Sequence, residues 1–251
     1  DHPRYAMACM QRGIHVLVEK PAGVYTKQVR EMNEAAEKHN VVFGMMFNQR
    51  TNCVYRKLRE LVQSGEYGEI RRTNWIITNW YRSQAYYNSG GWRATWEGEG
   101  GGVLLNQCPH QLDLWQWICG MPEKITAVCH EGKWHNIEVE DDVMIYAEYP
   151  NGATGTFITT TGDFPGTNRL EIACDMGKVV VENNQMVFHR NIISEREHNK
   201  ISTIPFERPE CWKCEIPVPK DPMGNHAMLV QNFTNAILKG EELIAPGVDG
   251  I

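Results

Sequence analysis

Ile14-His15-Val16-Leu17-Val18-Glu19-Lys20-Pro21 is a short apolar run that ends abruptly in an acid, a lysine and a proline. Three of its first five residues are β-branched, which predicts a buried strand, and the proline closes it. Lys20 then stands at the C-terminal edge of that strand, where open α/β sheets hold their ligands. Upstream, residues 4–12 predict a helix capped by Gly13. Downstream, Thr26 is a candidate N-cap for a helix carrying Val29, Met32, Ala35 and Ala36, running to about Asn40. Val41 to Met46 reads as a second strand. Helix, strand, helix, strand with short links is the pattern of a doubly wound parallel sheet, of which only the later part is expected here.

After Phe47 the texture changes. A helix is predicted over 52–64, with Val54, Leu58, Leu61 and Val62 on one face and Gly65 at its end. Strand-like stretches then dominate at 69–80, 124–134, 142–149, 152–161, 168–174 and 178–182. Several alternate apolar with polar residues (Val143, Ile145, Ala147), and Pro150-Asn151-Gly152 is a hairpin turn signal. A late helix over 225–239 carries Met228, Phe233, Ala236 and Ile237 and stops at Gly240. The proline- and charge-rich stretch 191–224 reads as a long loop. The expected fold class is α/β plus α+β: the C-terminal part of a Rossmann-type parallel sheet over 1–47, then an α+β domain over 48–251.

The 251 residues are 42% hydrophobic and 22% charged, ordinary values for a chain that buries a core. A net charge of −6 without a basic stripe argues against nucleic acid. Apolar runs fall short of the roughly 20 residues a membrane helix needs. No secretion signal opens the chain, so a cytoplasmic location is the default expectation. Eight cysteines are irregularly spaced. Only Cys211 and Cys214 form a C-x-x-C, with no second pair, so no metal site is expected and the thiols read as small core residues.

A second polar cluster lies far downstream. Gly100-Gly101-Gly102 precedes Asn106, His110 and Asp113, spaced i, i+4, i+7 and so on one helical face. The glycines allow close backbone approach to another group, a nicotinamide or a sugar. Pro109 fits only a first helical turn, so the regular helix begins near Cys108 or is kinked there. An imidazole titrates near neutrality and suits proton exchange with a hydroxyl. Lys20 alone reads as an exposed strand-end charge as readily as a catalytic group. The functional reading requires the two segments to face one another.

These residues together resemble the Gfo/Idh/MocA oxidoreductases, the glucose-fructose oxidoreductase and inositol dehydrogenase family. The likeness runs from Val16-Leu17-Val18-Glu19-Lys20-Pro21 through Asn48-Gln49-Arg50, Gly65 to Ile70, Trp92-Arg93, Gly100 to Gly102, Asn106, His110 and Asp113, to Glu140-Asp141-Asp142 and Asn151-Gly152. It implies a Rossmann domain for NAD or NADP and a second domain whose large open, mainly antiparallel sheet mediates homodimers or homotetramers. It implies that Lys20 contacts the nicotinamide ribose and the reacting hydroxyl, that Pro21 follows through a cis bond, and that His110 is catalytic. Glu19, Lys20 and Pro21 would touch cofactor. Asn106 stands where many members have aspartate, so it orients substrate while Lys20 and His110 handle the proton. Arg93, Tyr86, Asn106, His110 and Asp113 are the expected substrate contacts, with Trp92 and Tyr81 on the same approach.

The expected function is hydride transfer to or from a hydroxyl carbon of a sugar, glycoside or cyclitol. The alternative is a non-catalytic relative that senses dinucleotide. The family's glycine-rich fingerprint does not occur in these residues, so the expectation is a piece of a longer parent, inactive by itself.

Overall fold

The computed structural model describes residues 1–220 and 223–251. In chain order the elements are α1 (His2–Met10), β1 (Val16–Val18), α2 (Thr26–Lys38), β2 (Phe43–Met45), a 3-10 turn (Asn48–Thr51), α3 (Cys53–Gln63), β3 (Ile70–Ile77), α4 (Gln84–Tyr87) and α5 (Pro109–Cys119). They continue with β4 (Lys124–Glu131), β5 (Glu140–Glu148), β6 (Thr154–Thr160), β7 (Asn168–Cys174), β8 (Gly177–Glu182), β9 (Gln185–Asn191), α6 (Glu195–Ile201), β10 (Cys211–Ile216) and α7 (Asn225–Lys239), before a closing 3-10 turn (Gly247–Gly250).

Two compact units are present: one of residues 1–55, 109–114 and 220–251, the other of 56–108 and 115–219. This grouping differs from a division at residue 47. The first unit takes in the chain's end because its small core needs it: Met10, Val18, Met32, Phe43 and Met45 pack with Leu229 of α7 and with Ala245. β1 and β2 pair in parallel, Val16 opposite Phe43 and Val18 opposite Met45. Met45 N–H donates to the Ala245 carbonyl at 2.9 Å, extending that pairing to the C-terminal segment. A two-stranded sheet is marginal alone; α1, α2 and α7 supply the apolar cover. Tyr25, not Thr26, is the N-cap of α2.

The second unit is built on one eight-stranded sheet in the order β10-β9-β8-β7-β3-β6-β5-β4, antiparallel except where β3 meets β6. Period-two alternation is plain in β5, with Val143, Ile145 and Ala147 buried and Met144 and Tyr146 exposed. Trp75, Phe157, Leu170 and Ile172 fill the inner face, each such side chain contributing about 1.5–3 kcal/mol by leaving water. Trp115 of α5 stacks on Phe157 at 5.6 Å and donates its indole N–H to Thr73 at 2.8 Å. Gly155 makes room for it, since a Cβ there would lie 2.6 Å from the Trp115 ring.

The expected loop 191–224 contains α6 and β10, and residues 221 and 222 lie outside the described residues. β9 was likewise unforeseen, and β4 ends at Glu131 rather than near Trp134. The chain leaves the sheet there because backbone N–H groups of Lys133, Trp134 and His135 turn onto the buried Asp141 carboxylate, at 2.9, 2.9 and 3.0 Å. No helix among the described residues is long and apolar enough to cross a membrane.

Candidate functional site

Lys20 sits half-buried directly after β1, and the Lys20–Pro21 peptide is cis. Glu19 is exposed and accepts the Lys20 backbone N–H at 3.2 Å. Pro21 offers its carbonyl to His2 Nδ1 at 2.9 Å. The helix carrying His110 is unkinked: Cys108 is its N-cap and Pro109 occupies the first turn, where a missing N–H costs nothing. His110 is therefore in the first turn of α5, within the same unit as Lys20.

His110 is held neutral. Burial, then the Lys20 charge, then His226, lower its pKa from 6.5 to about 4. Each disfavours the imidazolium: burial strips water from it, and neighbouring positive charge repels it. Its Nδ1 is buried with no hydrogen-bond partner among the described residues, and the same is true of Asn48 Oδ1. Asn48 Nδ2 lies 2.9 Å from His226 Nε2, and Phe47 packs edge-on against the His110 ring with centroids 6.5 Å apart. His226, in the first turn of α7, was not foreseen; a lone histidine at a helix start carries no signal until the fold brings it beside another.

Asp113 lies one turn beyond His110 and behaves differently. Arg50 grips it with a two-pronged fork, Nε to Oδ2 at 2.9 Å and Nη2 to Oδ1 at 2.5 Å. Arg50 Nη1 also reaches Asp249 at 2.5 Å and the Ile244 carbonyl at 2.9 Å. Arg50 is 1% exposed and Asp113 6%, so this is a buried structural clamp, and a substrate contact by Asp113 finds no support in its surroundings.

In the second unit, Asn106 precedes the helix instead of lying on it, so the three-residue face expected with His110 and Asp113 does not form. Asn106 donates its amide to Glu99, whose other oxygen accepts Ala94 N–H at 2.7 Å. The triple glycine does meet another group closely, but that group is the protein itself. A Cβ on Gly102 would lie 1.9 Å from the Glu140 carbonyl, and the Glu140 carboxylate accepts the N–H groups of Gly102 and Leu104 at 2.9 and 3.0 Å. The close approach at Gly102 is to Glu140. Arg93 donates to Tyr86 Oη at 3.0 Å and lies over the rings of Tyr86 and Trp92. Tyr81 is 48% exposed and packs beside Phe164.

The residues present fit one end of a dinucleotide. A parallel strand whose C-terminal edge ends in Lys20, with the orphaned His110 Nδ1 and Asn48 Oδ1 in the same unit, offers a cation, an acceptor or donor, and an amide to a nicotinamide-ribose and a hydroxylated partner. A G-x-G-x-x-G turn for the pyrophosphate is not among the 251 residues.

Comparison with known proteins agrees with this architecture. Residues 1–47 match the oxidoreductase family's NAD-binding Rossmann fold, and residues 55–180 match the GFO/IDH/MocA C-terminal domain. The chain is 25% identical over its whole length to a 1,5-anhydro-D-fructose reductase of Ensifer adhaerens, of which it spans 70%. It is 28% identical over 60% of its length to the D-glucoside 3-dehydrogenase of Escherichia coli, spanning 46% of that enzyme. The WlbA dehydrogenase of Chromobacterium violaceum, solved with NADH and UDP-GlcNAcA, superposes on 99% of the chain with a TM-score of 0.79 at 26% identity, the chain spanning 68% of it. A Rossmann-type segment followed by this sheet, matched across both parts, places the chain in the Gfo/Idh/MocA family of oxidoreductases.

Proposed function

We propose that the protein is a nicotinamide-dependent dehydrogenase or reductase acting on a hydroxyl carbon of a sugar, glycoside or cyclitol, with Lys20 and His110 handling the proton. NAD or NADP, when bound, supplies the hydride acceptor or donor. The observation that carries the reading is a half-buried, neutral imidazole whose buried Nδ1 lacks a partner among the described residues, beside the ammonium of Lys20. A neutral imidazole can take a proton from a hydroxyl, and an ammonium stabilises the oxyanion that develops as it leaves. In the reverse direction the same pair returns the proton. Glu19, Lys20 and Pro21 line the nicotinamide end; Asn48 and His226 fix the surroundings of His110. Asp113 holds α5 in place through Arg50, and Asn106 braces the 94–106 segment through Glu99.

The relatives named above act on an anhydrofructose, on glucosides and on a nucleotide sugar, which supports a carbohydrate substrate. Assembly through the open face of the sheet, where Ile76, Val128, Met144 and Tyr146 are exposed, fits a homodimer or homotetramer. A dinucleotide sensor is the competing reading, and one experiment separates the two. In the complete gene product, Lys20→Met should cut sugar-dependent NADH turnover by roughly 10²–10⁴ while leaving dinucleotide binding intact. Unchanged turnover in that variant would overturn the assignment.

A further inference from the structure

We propose that the second unit carries a binding site for a carboxylate-bearing sugar, a hexuronate or its glycoside, built from Arg82, Tyr86 and Arg93. The two guanidinium groups lie over the same ring, their Cζ atoms 5.1 and 4.6 Å from the Tyr86 centroid. Like charges held around one ring repel each other, and among the described residues neither has a carboxylate within the 4.0 Å of an ion pair. Arg93 spends Nε on Ser89 Oγ and Nη1 on Tyr86 Oη, and Arg82 spends Nη1 on the carbonyls of Trp80 and Tyr81. Nη2 of each, and Nε of Arg82, have no acceptor among the described residues. The Trp80 indole, 6.0 Å from Arg82 Cζ, keeps its N–H buried without one as well.

Three acids of this region are engaged elsewhere. Glu99 faces Ala94 N–H and Asn106, Glu138 accepts Trp96 N–H at 3.2 Å, and Asp141 gathers three backbone N–H groups and His135. Donors are thus in surplus on one patch, and the donors are forks. A planar carboxylate matches a guanidinium fork with two parallel hydrogen bonds, which a neutral hydroxymethyl group cannot do. Trp92 and Tyr81, 51% and 48% exposed, add flat amphipathic faces of the kind that cover a pyranose ring. The segment is held in shape beforehand: Tyr87 Oη donates to Thr161 Oγ1 at 2.8 Å, and Gln84 Oε1 accepts Asn136 N–H at 2.8 Å.

This inference goes beyond the activity proposed above and does not rest on it: it concerns the capture of a ligand by the second unit alone. The test is therefore direct binding without cofactor, following tryptophan fluorescence and heat as the chain is titrated with D-glucuronate, D-glucose and inorganic sulfate. Glucuronate should bind at least tenfold tighter than glucose or sulfate. Arg82→Gln and Arg93→Gln should each weaken it roughly tenfold and leave glucose unchanged. Arg93→Lys should fall between, keeping charge but losing the fork. Neither arginine is in an ion pair among the described residues, so each variant loses only neutral hydrogen bonds and ring contacts and should still fold; if one fails to fold, the other carries the test. Glucuronate no tighter than glucose, sulfate equal to glucuronate (an adventitious ion only), or a double variant that binds normally would each overturn the proposal. Failure here leaves the hydride-transfer reading standing. Normal glucuronate binding with no turnover of any sugar would instead remove that reading alone.

Discussion

Two pairs of charged or chargeable groups in the first unit are treated in opposite ways. Arg50 and Asp113 have opposite signs, are almost wholly buried, and meet in a fork that Asp249 and a carbonyl complete. Lys20 and His110 bear like charge when both are protonated, and His110 keeps a buried nitrogen without a partner among the described residues. Asp113 and His110 are only three residues apart on α5. The first pair satisfies itself with two parallel hydrogen bonds, and holds the helix. The second is poised because the His110 imidazole is held neutral and its buried Nδ1 has no acceptor or donor among the described residues, which is how perturbed groups at functional sites differ from structural ion pairs.

That contrast can be broken from either side. The largest effect belongs to Lys20→Met, with its loss of turnover at nearly constant stability. Asp113→Ala is the mirror image: removing one partner of a buried pair typically costs about 3–5 kcal/mol, and Asp249 should keep the loss near the lower end. Thermal or urea unfolding measures it; a loss under about 1 kcal/mol would mean that the clamp is not structural. Glu140→Gln should be milder, about 1–2 kcal/mol, since the amide keeps one acceptor for the Gly102 and Leu104 N–H groups and loses the other.

The last effect is the pH dependence of stability. His110 takes its proton near pH 4 when folded and near 6.5 when unfolded. Between those values the unfolded chain holds the extra proton, so stability falls as pH drops from about 6.5 toward 4, and this group costs nothing above 6.5. His110→Gln should flatten that part of the curve. A slope that survives the substitution would assign it to other groups.

Most of the scaffold was legible because its signals are local. β5, β7 and β8 alternate or run apolar within a few residues of their expected limits, and α7 spans 225–239 as its spacing and Gly240, at φ 71°, require. β9 and β10 were missed for different reasons. Asn183 and Asn184, at φ 52° and 58°, form the turn into β9, a hairpin signal that was there to be read. β10 gave no such sign: Cys211 to Glu215 is mostly exposed and flanked by prolines, and only pairing with β9 makes it a strand. The site divides along the same line. Lys20 and His110 carry recognisable neighbours in sequence. His226 and the Arg50 clamp depend on contacts between residues 178 and 63 positions apart, and the destination of the triple glycine depends on Glu140, 38 residues on.

The central claim is that Lys20 and His110 share one electrostatic environment. The direct test is a proton NMR titration of His110, with and without Lys20→Met. The account predicts an imidazole that stays neutral to about pH 4 in the parent and titrates at a higher pH once the ammonium is gone, still below 6.5 because burial remains. An imidazole that titrates near 6.5 in both proteins would contradict it.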